Sequence, residues 1–247
     1  MKRAVDQPPP LGTTVTVDDE NAVDGPLHDQ VYRRLRHALV TGRIVPGRAV
    51  TLRGLAQSLG VSPMPVREAI RRVSAEGGLE VGANRRVWVP AMDGERFDEL
   101  IRARILLEPE AAVRALPHID RERLERLRDI DDSIDVALER GDVEAYMAGN
   151  HRFHFEIYAA NPSRVLVPLI ESLWLQFGPF MRSVYGRLGT VALVDHHVDA
   201  LDAIIAHDAD ALARAIRADI MEGMELIATS VLTVPAAADL PEDRRRA

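Results

Sequence analysis

Residues 52–89, LRGLAQSLGVSPMPVREAIRRVSAEGGLEVGANRRVWV, constrain the fold more than any other stretch of this 247-residue chain. Leu52, Leu55, Ala56 and Leu59 mark one apolar helical stripe, stopped by Gly60. Ser62 then stands at an N-cap position, with Pro63 in the first helical position, where a missing N–H costs no hydrogen bond. The following stripe of Val66, Ala69, Ile70 and Val73 turns Met64, Arg67, Arg71 and Arg72 outward. Residues 79–81 and 87–89 alternate around Gly82-Ala83-Asn84, as the arms of a hairpin do. Upstream, Val31, Leu35, Ala38 and Leu39 predict another amphipathic helix, closed by Thr41-Gly42. This succession predicts a winged helix-turn-helix, whose second motif helix suits the major groove of duplex DNA.

Charge sharpens that expectation. The whole chain carries a formal charge of −7, which taken alone argues against a polyanionic partner. Residues 27–90, however, hold 11 arginines against the four acids Asp29, Glu68, Glu76 and Glu80. A basic segment attached to an acidic one implies a nucleic-acid-binding unit joined to something else. Arg67 and Arg71 lie one helical turn apart, so both can meet phosphates or guanine edges. Arg53 can brace the neighbouring backbone, and Arg85 and Arg86 at the wing tip can approach the minor groove. The competing reading is that these arginines only solvate a surface.

The rest of the chain reads as helical. Aromatic residues make up 4% of it, and Ala, Leu, Arg, Asp and Glu dominate. Six helical segments are expected at 95–116, 120–140, 142–160, 163–185, 190–206 and 209–232. Breaks fall at Pro117, Gly141, Asn161-Pro162, Gly186/Gly189 and His207-Asp208. Short connections favour an antiparallel bundle. The fold class expected is therefore mainly α, with a winged domain at 27–90 and an all-α six-helix bundle at 95–234. Residues 1–26 and 235–247 are expected as flexible tails, with a weak strand signal at 13–17. The absence of cysteine excludes disulfides and thiolate metal sites. No apolar run is long enough for a bilayer, and residues 1–10 lack the apolar segment of a signal peptide, so a cytoplasmic location is expected.

The helical half places polar side chains on apolar stripes. On 142–160 the stripe Val143, Tyr146/Met147, Asn150, His154, Ile157 puts Asn150 and His154 on one inward face. On 190–206, Leu193, His197, Leu201 and Ile204 include a histidine; on the last helix, Leu212, Ile216, Asp219 and Gly223 include a carboxylate. A buried imidazole or charge is costly unless paired or bound to a metal. Three helices that each spend a core position on a ligand-type side chain imply convergence. His151 and His196 read as surface residues, and His207 as part of a turn.

With these residues in view, LAQSLGVSPMPVREAIRRVSAEG resembles the N-terminal motif of GntR-type bacterial transcription regulators. The resemblance implies that Arg53, Ser62, Met64, Pro65 and Arg67 lie at the operator, with Pro63 standing where an arginine is common and Arg86 where a wing glycine is frequent. RILLEPEAA at 104–112, NHRFHFEIYAAN at 150–161 and HVDALDAIIAHDADALARAIRAD at 197–219 resemble the FCD ligand-binding domain of the FadR branch, and the six helices its VanR-like subgroup. Many members hold a divalent metal through an Asp and three His. The corresponding places here are Asn150, His154, His197 and Asp219, a set suited to Zn²⁺ or Ni²⁺. The resemblance also places Arg104 toward a small carboxylate-bearing effector, with a bidentate pair as its chemistry. It implies a homodimer on two-fold related duplex DNA, most simply as a repressor and with no membrane partner. The alternatives are a regulator that senses the metal itself, a metal-free cavity and, remotely, a metal-dependent hydrolase, for which no general base is evident.

Overall fold

The computed structural model describes residues 25–47, 49–82, 86–188 and 196–231. The N-terminal unit comprises α1 (Leu27–Val40), β1 (Val50–Thr51), α2 (Leu52–Ser58), α3 (Pro63–Ala75), β2 (Glu80–Val81) and β3 (Arg86–Trp88). Its sheet has the order β1-β3-β2, antiparallel throughout, with Val50 and Val81 both facing Val87. The hairpin expected from alternation is present. The extra strand β1 was not foreseen, because two residues are too short to show a period. Val31, Leu35, Leu39, Val66, Ala69, Ile70 and Val73 are all buried, so the amphipathic reading of α1 and α3 holds.

Two local details differ from expectation. Ser62 occupies the N-cap of α3 in extended geometry but makes no side-chain cap bond. Thr51 instead caps α2, its Oγ1 accepting the Gly54 N–H at 3.0 Å. Arg72 does not face outward with Arg71. Its Nη1 donates to Asp29 Oδ1 at 2.7 Å and its guanidinium lies 3.6 Å from the centre of the Tyr32 ring.

Six α-helices follow: α4 (Gly94–Ala115), α5 (Arg121–Arg140), α6 (Val143–Tyr158), α7 (Leu166–Leu188), α8 (His197–Ile205) and α9 (Ala209–Val231), with a 3₁₀ turn at Leu116–His118 after α4. Asp93, Asp120, Asp142 and Asp208 accept first-turn N–H bonds from Arg96, Arg123, Ala145 and Ala211. The expected breaks at Pro117, Gly141 and His207-Asp208 fall beside these caps, whereas α7 runs through the expected break at Gly186. α4 packs on α9, α5 on α6, and α8 on α9. Residues 1–24, Arg48, the wing tip including Arg85, 189–195 and 232–247 lie outside the described residues, and with them the strand signal at 13–17 and most of both tails.

The two units share one continuous core. Val89 and Pro90, at the start of the expected connection, are buried. α7 meets α1 as well as α4, α6 and α9. At the crossing, a Cβ on Gly178 would lie 2.6 Å from the Val40 carbonyl oxygen, so only glycine fits between α7 and the end of α1. Arg43 and Arg182 both bind Glu144 of α6, with Arg43 Nε at 2.7 Å and Arg182 Nη1 at 2.9 Å. The carboxylate thereby ties the N-terminal unit to two helices of the bundle.

Candidate nucleic-acid interface and metal centre

The outer face of the N-terminal unit is built on the first two turns of α3. Ser62, Met64 and Arg67 are exposed and Pro65 half-buried, with Met64 retaining 72% of its surface. Arg53 and Arg67 are exposed cations that engage no other side chain among the described residues. Arg71 shares their outward orientation but is held by Glu68, with Nη2 to Oε1 at 2.6 Å and Nε to Oε2 at 3.1 Å. Arg86 is exposed on β3. The surface thus offers free cations at Arg53 and Arg67 beside an apolar tip at Met64. Free cations suit phosphate or guanine, and an apolar tip suits a thymine methyl.

Inside the bundle, His154 of α6, His197 at the start of α8 and Asp219 of α9 come together. One donor atom from each lies within 4.8 Å of the others. His154 is fully buried and His197 is 1% exposed. Asn150, one turn before His154, is also buried, and its Oδ1 has no hydrogen-bond partner.

Counting protons fixes which nitrogens face the centre. Tyr158 has a single hydroxyl proton, which it donates to Glu108 Oε2 at 2.9 Å. Its oxygen therefore accepts from His154 Nδ1, 3.1 Å away. His197 Nδ1 lies 3.0 Å from Asp131 Oδ1, an acceptor only, and is likewise the protonated nitrogen. Both imidazoles thus turn Nε2 toward one carboxylate: His154 Nε2 is 3.0 Å from Asp219 Oδ2, and His197 Nε2 is 3.9 Å from Oδ1. His154 Nε2 makes no hydrogen bond of acceptable angle despite that closeness. A nitrogen lone pair facing a carboxylate at this distance is repulsive unless a proton or a cation lies between them. Burial alone raises the Asp219 pKa. The close contact with His154 and the His196 N–H outweigh it, holding the carboxyl well below the usual range. Two Nε2 atoms, a carboxylate and an unsatisfied amide oxygen are a donor set that fits a divalent cation.

Several participants escaped the sequence reading. Asp131 sits in an acidic stretch of α5 where nothing separates it from its solvated neighbours. Glu108 and Tyr158 lie within motifs that carried the resemblance, but periodicity gave them no role. Arg104 is buried, as a cavity residue must be, yet it is already occupied. Its Nε donates to Glu108 Oε1 at 2.5 Å, and its guanidinium lies 4.6 Å from the Trp174 ring centre and 5.3 Å from Phe177. Burial and then the Glu108 charge keep the Tyr158 hydroxyl protonated.

Of the two histidines expected at the surface, His196 is partly exposed there, whereas His151 is half-buried among aromatic rings. His196 bridges α8 and α9, with Nδ1 2.8 Å from Asp199 and Nε2 3.1 Å from Glu222. The hydrogen bond with Asp199 does most to raise its pKa. His151 stacks on Phe155 at 4.3 Å and meets Trp174 edge-on at 5.4 Å. α6 is covered on more than one side, so a residue off its main stripe is still enclosed. Burial, followed by the charges of Arg36, His154 and His37, pushes His151 down to about 3.

The native state therefore refuses a proton that the unfolded chain accepts near pH 6.5. This contribution to stability is complete above pH 6.5 and is lost progressively as pH falls toward 3. In chelator-treated protein, His151→Phe is expected to gain stability over the wild type as pH drops through that window, measured by urea unfolding at stepped pH. A pH-independent difference would remove His151 as the cause.

A winged helix-turn-helix docked on a helical bundle with a buried polar centre defines a DNA-binding regulator of two units. Residues 27–89 match the family of bacterial regulatory proteins of the gntR type, and residues 99–221 match the FCD domain. The chain belongs to the GntR family, with the FCD domain as its second unit; it is a DNA-binding transcriptional regulator and not an enzyme. The HTH-type transcriptional regulator McbR of Escherichia coli (strain K12) is 31% identical over 167 residues, 68% of this chain and 76% of McbR. The solved structure of E. coli McbR/YncC superposes with a TM-score of 0.79 at 27% identity, over 83% of this chain and 99% of that one. A GntR regulator structure from Rhodococcus sp. RHA1 shares the fold, with a TM-score of 0.63 at 19% identity, covering 82% of this chain and 98% of its own. The HTH-type transcriptional repressor RspR of E. coli K12 is 22% identical over 214 residues, 86% of this chain and 94% of RspR. Among the described residues no helix is long and apolar enough to cross a membrane.

Proposed function

We propose that this regulator is a repressor whose operator affinity answers to a small organic acid bound beside a divalent metal in the FCD half. The observation that carries the reading is the convergence of His154 Nε2 and His197 Nε2 on Asp219, with each Nδ1 already committed to a partner. His154, His197 and Asp219, with Asn150 as a fourth oxygen donor, would hold Zn²⁺, or Ni²⁺ as second choice. Such an ion supplies a Lewis-acidic position for a carboxylate oxygen. Asp131 and Tyr158 orient the two imidazoles. Arg104 can meet an effector carboxylate only by leaving Glu108, so it acts as the second anchor rather than the first.

At the other end, Arg53, Ser62, Met64, Pro65, Arg67 and Arg71 meet the operator, with Arg85 and Arg86 contributing from the wing. Repression agrees with the relative RspR, a transcriptional repressor. Exposed Val165, Leu169, Val198 and Ile205 supply apolar area for a homodimer, which a solution mass near twice 27.3 kDa would establish.

The test is elemental analysis of the purified protein, followed by titration of Zn²⁺ into metal-free samples. One equivalent per chain is expected, lost in the His154→Ala/His197→Ala double variant, together with a rise in melting temperature on loading. Absence of tight binding by the wild type would dismiss the metal. If Zn²⁺ alone, with no organic acid, changes operator affinity, the ion is itself the signal.

A further inference from the structure

α7 touches both the centre and the N-terminal unit. One face of α7 looks into the sensing core. Trp174 lies 5.4 Å from the His154 ring and under the Arg104 guanidinium, and Phe177 packs on Phe97 at 6.1 Å. Its other face grips the turn that ends the recognition helix α3. Ser172 Oγ donates to the Glu76 carbonyl at 2.7 Å, and Glu76 is the C-cap of α3. The next residue, Gly77, lies so close to Gln176 that a Cβ there would fall 2.9 Å from its side-chain carbon. Gln176 also accepts from Arg96 of α4 at 2.9 Å. Glu171 and Glu76 share Arg36 of α1, at 3.3 and 2.9 Å.

We propose that α7 is the element through which the sensing core positions the recognition helix, with Trp174 as the contact on the core side and Ser172 and Gln176 as positioning residues for operator recognition. A helix is stiff along its length, and packed side chains do not deform continuously. Displacement of Trp174 by an occupant of the centre therefore has to move residues 172 and 176, which flank it by half a turn on the opposite side. Those residues hold the C-terminal end of α3 while its N-terminal end carries Met64 and Arg67. Moving one end of a 13-residue rod reorients the other. The competing route runs through the 89–93 connection into α4, which also carries Arg104. This coupling rests on packing and hydrogen bonds alone and requires no metal at the centre.

Amide hydrogen exchange on the full-length, chelator-treated protein tests it without ligand or DNA. Trp174→Leu is expected to speed exchange in a peptide spanning residues 71–79 by about 2–30-fold, the range usual for residues along a coupling route. A peptide spanning residues 52–58 in α2 is expected to stay unchanged. In the Ser172→Ala/Gln176→Ala background, the response of 71–79 to Trp174→Leu is expected to disappear. Trp174→Phe, a milder change that preserves packing, serves if the leucine variant folds poorly, with a smaller effect of the same pattern. Unchanged exchange at 71–79 overturns the proposal, as does uniform acceleration over both peptides. Persistence of the response in the double-alanine background also overturns it.

Discussion

Replacing Arg67 by alanine is expected to weaken operator binding about 5- to 150-fold, the range for losing one charge-assisted contact to a guanine edge. If the partner is a phosphate, the slope of log affinity against log salt falls by about one instead. Arg67 is chosen because its guanidinium is exposed and has no intramolecular partner among the described residues, so binding DNA costs it no existing ion pair. Arg71 supplies the contrast. It must release Glu68 before it can serve DNA, and Arg71→Ala is expected to cost less. Mobility-shift titrations over several salt concentrations measure both, using a duplex selected by the purified protein from a random library. Equal affinities for wild type and Arg67→Ala at every salt concentration would take Arg67 out of the interface.

The second large effect is expected at Gly178. An added methyl would collide with three backbone atoms, the Val40 oxygen at 2.6 Å, the Val40 Cα at 2.7 Å and the Leu39 oxygen at 3.0 Å. Backbone cannot turn aside as a side chain can, so α1 and α7 must part. Overpacking of this kind costs about 1–3 kcal/mol. For a chain of this size that lowers the melting temperature by about 2–12 °C. Gly178→Val is expected to exceed Gly178→Ala. Gly94→Ala is the control, because nothing lies within 4 Å of its added methyl. A Gly178→Ala variant that melts with the wild type would mean that the two helices are not tightly docked in solution.

These two sites mark what was and was not legible in the sequence. The face of α3 was readable because one helix carries both its buried stripe and its arginines, and the 3.6-residue period separates them. Several helix ends were readable because stop signals are local: Pro117, Gly141 and His207-Asp208 stand at the junctions themselves, and Asp208 caps the helix that follows it. The centre was partly readable, since His154, His197 and Asp219 each interrupt an apolar stripe. Asp131 was not, because a carboxylate on a largely solvated helix differs from its neighbours only in what stands opposite. The docking of α1 on α7 left no local trace either. Gly178, Ser172 and Gln176 are ordinary residues of a long helix until Val40 and Glu76 are placed against them. His151 was misread for the same reason: a single stripe defines one buried face, and α6 has more than one.

The tryptophans of this chain number two, and they stand in different halves. Trp88 lies in β3 of the wing, its Nε1 donating to Glu80 at 2.7 Å, whereas Trp174 is buried beside His154 and Arg104. The intrinsic fluorescence of the protein is therefore the sum of one emitter at the DNA end and one at the sensing end. A Trp88→Phe chain would emit from its tryptophan in the core alone, beside His154 and Arg104. A chain lacking Trp174 would report from the wing alone. The regulator carries one intrinsic optical probe in each of its two units.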